Sequence, residues 1–340
     1  MRIATPRLWI PASAVFLAAA LLTGALVGPV HLGAVDIVRA TFAHVFGLRS
    51  PLPGPDDAIF WELRLPRVVL GALVGGTLAA AGAAYQGVFR NPLADPYLLG
   101  AAAGAGLGAT LVVAYAPSSS FTGDLLPISA FVGAAVAVVI AYALGRSAGA
   151  AAGPAGLVLA GVTIASFFTA LQTFVQQQNV DTVQAVYTWL LGRLATSGWH
   201  EVGIIVPYAA AAWLILLGHR RLLDVLAVGD DEAAALGVNV ARVRLFVVVA
   251  ATIATAAAVA VAGLIAFVGI IVPHTIRLLV GGSYRLLLPL SVVVGAGFLV
   301  LADVIARTVL SPAELPIGVV TAFFGAPFFA LVLRTSRRGS

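Results

Sequence analysis

The stretch of sequence that decides the fold runs from Glu62 to Gly100 and reads ELRLPRVVLGALVGGTLAAAGAAYQGVFRNPLADPYLLG. Its central 22 residues, Val68 to Phe89, carry no charge. A helix needs about 20 apolar residues to cross the hydrocarbon core of a bilayer, so this run predicts one membrane crossing. Both flanks are polar and contain proline, but their sequences differ. Two different polar ends predict different interactions on the two sides of a membrane, which is typical of a transporter.

The whole chain has the composition of a membrane protein. Of its 340 residues, 61% are hydrophobic and 10% are charged, and the mean hydropathy is +1.05. Soluble domains contain about 25% charged residues. Long uncharged runs recur along the sequence, whereas the alternating pattern of a barrel strand does not. The predicted fold is an all-α polytopic membrane protein, formed as a single transmembrane domain over residues 1–340.

The residue types that are missing exclude several kinds of chemistry. All 19 positions occupied by lysine or arginine are arginine, and there is no cysteine. A Walker A loop needs lysine to reach the nucleotide phosphates, so this chain does not hydrolyse ATP by P-loop chemistry. Without cysteine it has no disulfide, thiolate metal site or cysteine nucleophile. No Ser/His/Asp set or carboxylate pair indicates catalysis, and we predict a non-catalytic subunit.

The excess of arginine has two interpretations. A pI near 10.1 is compatible with nucleic-acid binding. The arginines are nevertheless scattered over the segments between apolar runs, as expected when basic residues stay on the cytoplasmic side of a membrane. We therefore expect membrane lipid, and no nucleic acid, as a partner.

Charged residues divide the chain into about ten predicted spans. The first follows Arg2 and Arg7 and resembles a signal peptide, but it is longer than a typical signal core and is expected to remain as a span. Both tails are basic, so both are predicted to be cytoplasmic, which requires an even number of crossings. For that reason the long run after Arg244 is divided into two spans. The ten predicted spans are 10–30, 66–89, 97–116, 125–145, 155–176, 202–218, 245–263, 266–280, 286–305 and 315–333.

The spacing of small residues and prolines hints at an internal repeat. Gly82 precedes Pro92 by ten residues, and Gly263 precedes Pro273 by ten; each glycine follows an alanine. The spans that contain them run in opposite directions in this topology, so the halves would be inverted repeats, a common plan in transporters. Because glycine and alanine are so frequent here, chance repetition is the alternative.

Two short helices are predicted outside the spans. One is amphipathic and covers Val35 to Phe46. The other lies in the most charged segment, 219–244, where Asp230 can cap a helix that has acids in its first turn and Gly237 at its stop. Such a helix could dock into a groove on another protein, or it could be an ordinary ordered loop.

Several motifs, in this order along the chain, resemble the FecCD family of permeases from type II ABC importers, which carry vitamin B12, ferric siderophores and haem. The match extends from about residue 60 to residue 335. The motifs are LRLPR at 63–67, NPLADP at 91–96, LLG at 98–100, GDDEA at 229–233 with Leu236 and Gly237, GIIVPHTIR at 269–277, ADVIAR at 302–307, ELPIGVVTA at 314–322 and GAP at 325–327.

The resemblance implies a set of partners. Two permease copies, usually identical, would form the pathway at their interface in the bacterial inner membrane. Two separate ATPase subunits, which carry the ATP and Mg²⁺, would bind the coupling segment at about 222–238, while an extracytoplasmic binding protein docks on the other side. The ferric siderophore is the favoured cargo, with cobalamin or haem as alternatives.

The resemblance also assigns roles to individual residues. The positions that match binding-protein docking residues are Arg64, Arg67 and Arg307. The positions that match the ATPase coupling helix are Asp230, Asp231, Glu232, Ala233, Leu236 and Gly237. The positions that match a cytoplasmic gate are Asn91 and Leu93, with the loop 147–156, made entirely of small residues here, in a second gate region.

Each assignment has a simpler alternative. The arginines could be helix-end residues that extend to the membrane interface. An ion pair between Asp303 and Arg307, four residues apart, could also occupy Arg307. Asn91 and Leu93 could belong to a plain turn.

Polar residues on one face of the fifth predicted span suggest where the pathway lies. Thr169, Gln172, Thr173 and Gln176 follow helical spacing. Polar groups in a membrane helix face protein or water, so this face lines a pathway or makes hydrogen bonds between helices.

The five histidines do not predict a metal site. His274 stands alone and is expected to make a helix-end hydrogen bond, and haem ligation by His31, His44 or His200 has no supporting pattern. A secondary transporter is the alternative of another class; it would need acidic residues inside its spans, and the sequence shows none clearly there.

Overall fold

The protein is a bundle of α-helices. A computed structural model describes residues 8–28, 32–116, 122–147, 153–194 and 198–336, which contain fourteen α-helices and no strand. The helices are α1 (Trp9–Leu26), α2 (Ala34–Val45), α3 (Gly54–Ala58), α4 (Leu65–Val88), α5 (Ala101–Tyr115), α6 (Thr122–Ser147), α7 (Gly153–Gln178), α8 (Val183–Leu190), α9 (His200–Val228), α10 (Asp230–Ala235), α11 (Val240–Ala262), α12 (Val268–Val280), α13 (Tyr284–Thr308) and α14 (Ile317–Ser336).

Two helices form the centre of the bundle. In α4 and α11, 83% and 78% of the most apolar window is buried, against 17% in α1 and 28% in α6 and α9. Both central helices are rich in alanine and glycine, and small side chains allow neighbouring helices to approach closely. The helix α4, which occupies most of the stretch from Glu62 to Gly100, is therefore in the core of the molecule.

The apolar helices confirm a polytopic membrane protein. Seven helices in the described ranges are long and apolar enough to cross a bilayer, and three shorter apolar ones are α5, α12 and the first part of α14. The long run after Arg244 breaks at residues 263–267, between α11 and α12, which confirms its division into two helices. The predicted amphipathic helix is also present, as α2.

The helix that contains the decisive stretch begins earlier than predicted. Residues 54–88 are continuously helical, with a π-helical segment, Ile59–Arg64, between α3 and α4. Pro66 lacks a backbone N–H and cannot close the α-helical hydrogen bond to Glu62. The wider π turn accommodates this defect, and such turns are frequent at functional sites.

Two sequence predictions about charged segments are wrong. The coupling segment 219–244 is not one loop, because α9 continues to Val228 and α11 already begins at Val240. Leu223 and Leu226 remain buried, so the apolar face of α9 continues beyond the predicted span. The expectation that no span clearly contains an acidic residue is wrong at Asp303, which lies inside α13 and is buried.

The glycines of the apparent repeat occupy different positions. Gly82 is in the interior of α4, whereas Gly263 follows the last residue of α11 with φ of 71°. This spacing therefore gives no support for inverted repeats.

Candidate functional site

At the start of α4, Arg67 binds two carboxylates. Its Nε lies 3.1 Å from both oxygens of Asp303, and its Nη2 lies 2.8 Å from Oδ1. The same guanidinium contacts Glu314 through Nη1 at 2.8 Å and Nη2 at 3.0 Å. The planar guanidinium suits such two-point contacts. The hydrogen bond from Arg67 lowers the pKa of Glu314.

Arg307 and Arg64 attach this group to the end of α1. Arg307 Nη2 donates to the Gly24 carbonyl at 2.7 Å, and Arg64 Nη1 donates to the Ala25 and Leu26 carbonyls at 3.1 and 3.3 Å. The last carbonyls of a helix lack partners within the helix and carry partial negative charge, so they favour arginine. We call the five charged residues Arg64, Arg67, Asp303, Arg307 and Glu314 the Arg67 cluster.

The structure brings together the three arginines predicted from the sequence. They surround a cavity of about 430 Å³, which Leu63 also lines. Their guanidinium groups bind carbonyls and carboxylates of the chain itself, and the predicted i, i+4 pair is present, with Arg307 Nε 3.4 Å from Asp303. Leu63 and Glu314, each more than half exposed, are among the residues that face outward here.

The predicted short helix is present at the opposite end of α4, as α10. Its N-cap is Gly229, so the prediction that Asp230 caps the helix is wrong; Asp230 is the first helical residue. Its stop is as predicted: Gly237 has φ of 80°, and the N–H groups of Gly237 and Val238 bond to the carbonyls of Ala234 and Ala233. Ala233 packs inward, and the remaining predicted coupling positions, Asp231, Glu232, Leu236 and Gly237, are exposed.

Asp230 does not cap because it binds arginines from two other elements. Both its oxygens lie 3.0 Å from Arg244 Nη2, at the start of α11. Arg90 Nη2, just beyond α4, lies 3.6 Å from Oδ1. The carboxylate therefore connects α10 with the end of α4 and the beginning of α11.

The turn after α4 carries the predicted gate residues. The backbone N–H groups of Arg90 and Asn91 donate to the carbonyls of Gly87 and Gln86, respectively. This is the Schellman motif that ends many helices, and glycine usually occupies the position that Arg90 has here. Arg90 has φ of 51°. Asn91 Oδ1 accepts from the backbone N–H of Leu93 at 2.9 Å, and Leu93 is 43% exposed. In the second predicted gate region, residues 148–152 lie outside the described residues.

In the interior, the break after α4 meets the break after α11. The Tyr97 hydroxyl donates to the Ile265 carbonyl at 3.1 Å and lies 3.2 Å from the Ile265 nitrogen, whose N–H donates to it. A Cβ built on Gly82 would lie 1.8 Å from the Gly269 carbonyl oxygen, so α4 and α12 are in direct backbone contact. No motif or spacing in the sequence predicted this junction.

The polar face predicted on α7 is divided in the structure. Gln172 is buried, and its Oε1 is directed at Gly106 of α5. Thr169 and Thr173 are exposed, and the Thr173 hydroxyl donates to the Thr169 carbonyl at 2.9 Å. Gln176 is half-buried. Three of the four residues therefore remain available to a pathway, and Gln172 packs between helices.

The described histidines show no arrangement for a metal. His274 Nδ1 is buried without a hydrogen-bond partner in the described ranges, contrary to the predicted helix-end bond, and its ring packs edge-on against Phe328. His44 binds Asp57 through Nε2 at 2.9 and 3.0 Å. Within the described residues, no three His, Asp or Glu side chains could hold one ion together, and His31 lies outside them.

Comparison with known proteins identifies the family. Residues 16–335 match the FecCD transport family, which is nearly the whole chain. The chain belongs to the FecCD transport family. The resemblance derived from its motifs is thereby confirmed, and the chain is a multi-pass membrane permease of this family.

Individual FecCD relatives match over almost their full length. The cobalamin import system permease protein BtuC of Halobacterium salinarum is 37% identical over 358 residues, which cover 96% of this chain and 95% of that protein. The Fe(3+)-citrate import system permease protein YfmE of Bacillus subtilis is 34% identical over 329 residues, 96% of each chain. A metal-chelate type ABC transporter solved in an inward-facing conformation superimposes with a TM-score of 0.84 at 28% identity, covering 97% of this chain and 99% of that one.

Proposed function

We propose that this chain forms the membrane pathway of an ABC importer for a metal chelate, driven by separate ATPase subunits. The observation that carries the proposal is the position of α10. This helix has an exposed face, and it is joined through Asp230 to the turn that holds the gate residues Asn91 and Leu93. An ATPase that moves α10 would therefore act on the gate.

The seven long and three shorter apolar helices among the described residues support a topology of ten crossings. The contacts at Asp230 support an inverted arrangement of its two halves. Arg90 at the end of α4 and Arg244 at the start of α11 bind the same carboxylate, so the two central helices run in opposite directions. Each is followed by a break and a short helix. These helices, α5 and α12, have 15 and 13 residues, about 22 and 20 Å, and are shorter than a bilayer core of about 30 Å. Two halves of inverted orientation account for this arrangement.

The charge distribution supports the orientation. Arg220, Arg221, Arg242 and Arg244 lie near α10, and basic segments stay in the cytoplasm. With ten crossings both termini are also cytoplasmic, and the Arg67 cluster faces outward. We place the chain in the inner membrane of a bacterium.

These positions support the partners that we propose. Two ATPase subunits would bind α10 of two permease copies and would hold the ATP and Mg²⁺, while this chain binds no cofactor. A binding protein would dock at the Arg67 cluster. Since the arginines there are held by internal contacts, we propose that they shape and charge the docking surface, while exposed Glu314 and Leu63 make direct contact.

For the cargo we propose an iron chelate, with cobalamin or haem as alternatives. Relatives over the full length are named for both cobalamin and ferric citrate import. The exposed hydroxyls of Thr169 and Thr173 give a mildly polar, uncharged wall. Such a wall suits a bulky chelate that must pass without being held. Identification of the ligand in the partner binding protein would decide among the three.

A secondary transporter is the competing mechanism, and Asp303 bears on it. This carboxylate is buried inside a helix, as proton coupling requires. It is, however, bound by Arg67 and Arg307, which stabilise its charged form. Uptake into vesicles that persists without ATPase or ATP would favour this mechanism and overturn ours.

A variant of α10 tests the proposed function. Leu236 is 70% exposed beside the end of α10, and Leu236→Glu should place a charge in the ATPase contact. We expect at least a tenfold loss of ATPase co-purification, about 1.4 kcal/mol of binding free energy. The matched control is Ala313→Glu, which adds the same side chain to an exposed position in the segment between α13 and α14. Equal recovery of ATPase with both variants would contradict the assignment.

A variant of Arg90 tests the connection between α10 and the gate turn. Arg90→Gly removes the ion pair but suits the left-handed backbone, so it should relieve about 1 kcal/mol of local strain and preserve the fold. In proteoliposomes with ATPase and binding protein, we expect several-fold less substrate transported per ATP hydrolysed.

Two variants of α10 in the same transport assay supply a second test and its control. Asp230→Asn should reproduce the loss, whereas Asp231→Asn, an exposed neighbour, should leave transport per ATP unchanged. An unaltered ratio in Arg90→Gly would show that the ion pair does not transmit motion.

A further inference from the structure

The outward face of α2 is entirely apolar over a wide arc. Its exposed members have between 47% and 67% of their surface accessible. At 100° per residue they occupy an arc of about 100°, the width typical of a helix face that is buried against something. They are Val35, Val38, Phe42 and Val45, together with Phe46, the residue that follows the helix.

Two polar side chains of α2, His44 and Thr41, lie on its other side and are bound within the protein. His44 binds Asp57 of α3, and the Thr41 hydroxyl donates to the Ile37 carbonyl at 2.8 Å. Ile37 and Ala40 are buried in a cluster with Ala25 and Phe60. A helix on a water-exposed surface has its polar groups outward. The opposite arrangement here indicates an apolar environment outside the protein.

The position of α2 identifies that environment. Its buried face packs on Ala25 and Leu26 at the end of α1. It also packs on Phe60 of the π-helical segment and on Leu65 at the start of α4. With 18 residues α1 is about 27 Å long, close to the thickness of a bilayer core. The end of α1 therefore lies near the membrane surface, and α2 lies at that level.

Two basic residues border the apolar face. Arg39 follows Val38 on α2, and Arg49 comes shortly after Phe46; both are exposed. An apolar helix face with aromatic residues, bordered by arginines, is typical of helices that lie in the headgroup region. We propose that α2 lies in the outer leaflet, with Phe42 and its neighbours among the acyl chains and the arginines at lipid phosphates.

A protein partner fits the face less well. Surfaces that bind transient partners are about as polar as the rest of a protein surface. A face with no polar residue would be adhesive whenever the partner left. Lipid is always present, and the apolar side of α1, including Val15 and Leu22, is exposed in the same way.

The absence of cysteine makes a direct test possible. A nitroxide label is attached to Phe42→Cys or, as a second site on the same face, Val38→Cys, in full-length chain in phosphatidylcholine–phosphatidylglycerol nanodiscs. Collision rates with oxygen, which concentrates in lipid, and with a nickel chelate, which stays in water, are then measured. Val15→Cys in α1 serves as the lipid reference and Ala313→Cys as the water reference.

We expect the oxygen-to-nickel ratio at Phe42 and Val38 to exceed that at Ala313 several-fold and to lie below that at Val15, because the headgroup region is shallower than the interior of α1. A ratio equal to that at Ala313 would overturn the proposal and leave the face to a soluble partner. Low rates with both reagents would overturn it in favour of coverage by a second protein chain. The choice of the outer leaflet rests on the orientation given under the proposed function, whereas the contact of α2 with lipid does not depend on the proposed cargo or on the ATPase.

Discussion

Gly82→Ala is expected to destabilise the protein by about 3 kcal/mol or more, at or beyond the upper end of the range for overpacking. The added Cβ would lie 1.8 Å from the carbonyl oxygen of Gly269 and 2.6 Å from its Cα. These atoms belong to the backbone, so no side chain can rotate away. The start of α12 would have to separate from α4 by more than 1 Å, in the most buried part of the bundle.

The measurement is the temperature at which half of the detergent-solubilised protein loses its monodisperse elution peak. Gly218→Ala is the matched control, because Gly218 lies in the interior of α9 and a Cβ there has no neighbour within 4 Å. The control should be neutral or slightly stabilising, since alanine favours a helix by about 1 kcal/mol over glycine. Equal transition temperatures in the two variants would show that α4 and α12 are not in contact.

The second large effect is expected from Asp303→Ala in the Arg67 cluster. Removal of one member of a buried ion pair costs about 3–5 kcal/mol, because a charge is left buried without its partner. The side chains of Arg67 and Arg307 are only 19% and 7% exposed, and both lose the carboxylate between them. We expect Asp303→Ala to lower the free energy of unfolding by about 3 kcal/mol, near the lower end of this range, because Glu314 still neutralises Arg67.

Glu314→Ala is the control within the same cluster. Arg67 binds Glu314 at the same 2.8 Å shortest distance as Asp303, but the Glu314 side chain is 53% exposed. Exposed ion pairs contribute about 0–1 kcal/mol, so thermal stability should change little. If both variants lower the transition temperature equally, burial does not determine the strength of these pairs.

The two acidic partners of Arg67 explain why the docking arginines could be only partly interpreted from the sequence. The motif that contains Arg67 identified it, and helical spacing alone predicted the contact between Asp303 and Arg307. Asp303 and Glu314 are 236 and 247 residues from Arg67. No local pattern in the sequence relates residues that are so far apart in the chain.

In the α10 region too, the local sequence predicted some features, and only the tertiary contacts decided the others. Gly237, with acids at the other end of a short alanine run, was sufficient to predict the helix and its stop. The role of Asp230 was mispredicted, because a capping preference is weak compared with two charge-assisted contacts from Arg90 and Arg244. Arg90 has the left-handed backbone conformation that favours glycine. The sequence can reveal this unusual position only if the end of α4 is already known.

The sequence by itself determined that this chain crosses a membrane as helices, approximately where each helix lies, and which family it resembles. These properties depend on uncharged runs, turn residues and motifs that are local in the chain, since a helix satisfies its backbone within itself. Only the tertiary structure decided which charges pair, where the two breaks meet and which side of α2 faces outward. In an apolar bundle the partner of a polar group depends on how helices pack, and close contacts such as Gly82 on Gly269 are made between residues far apart in the chain.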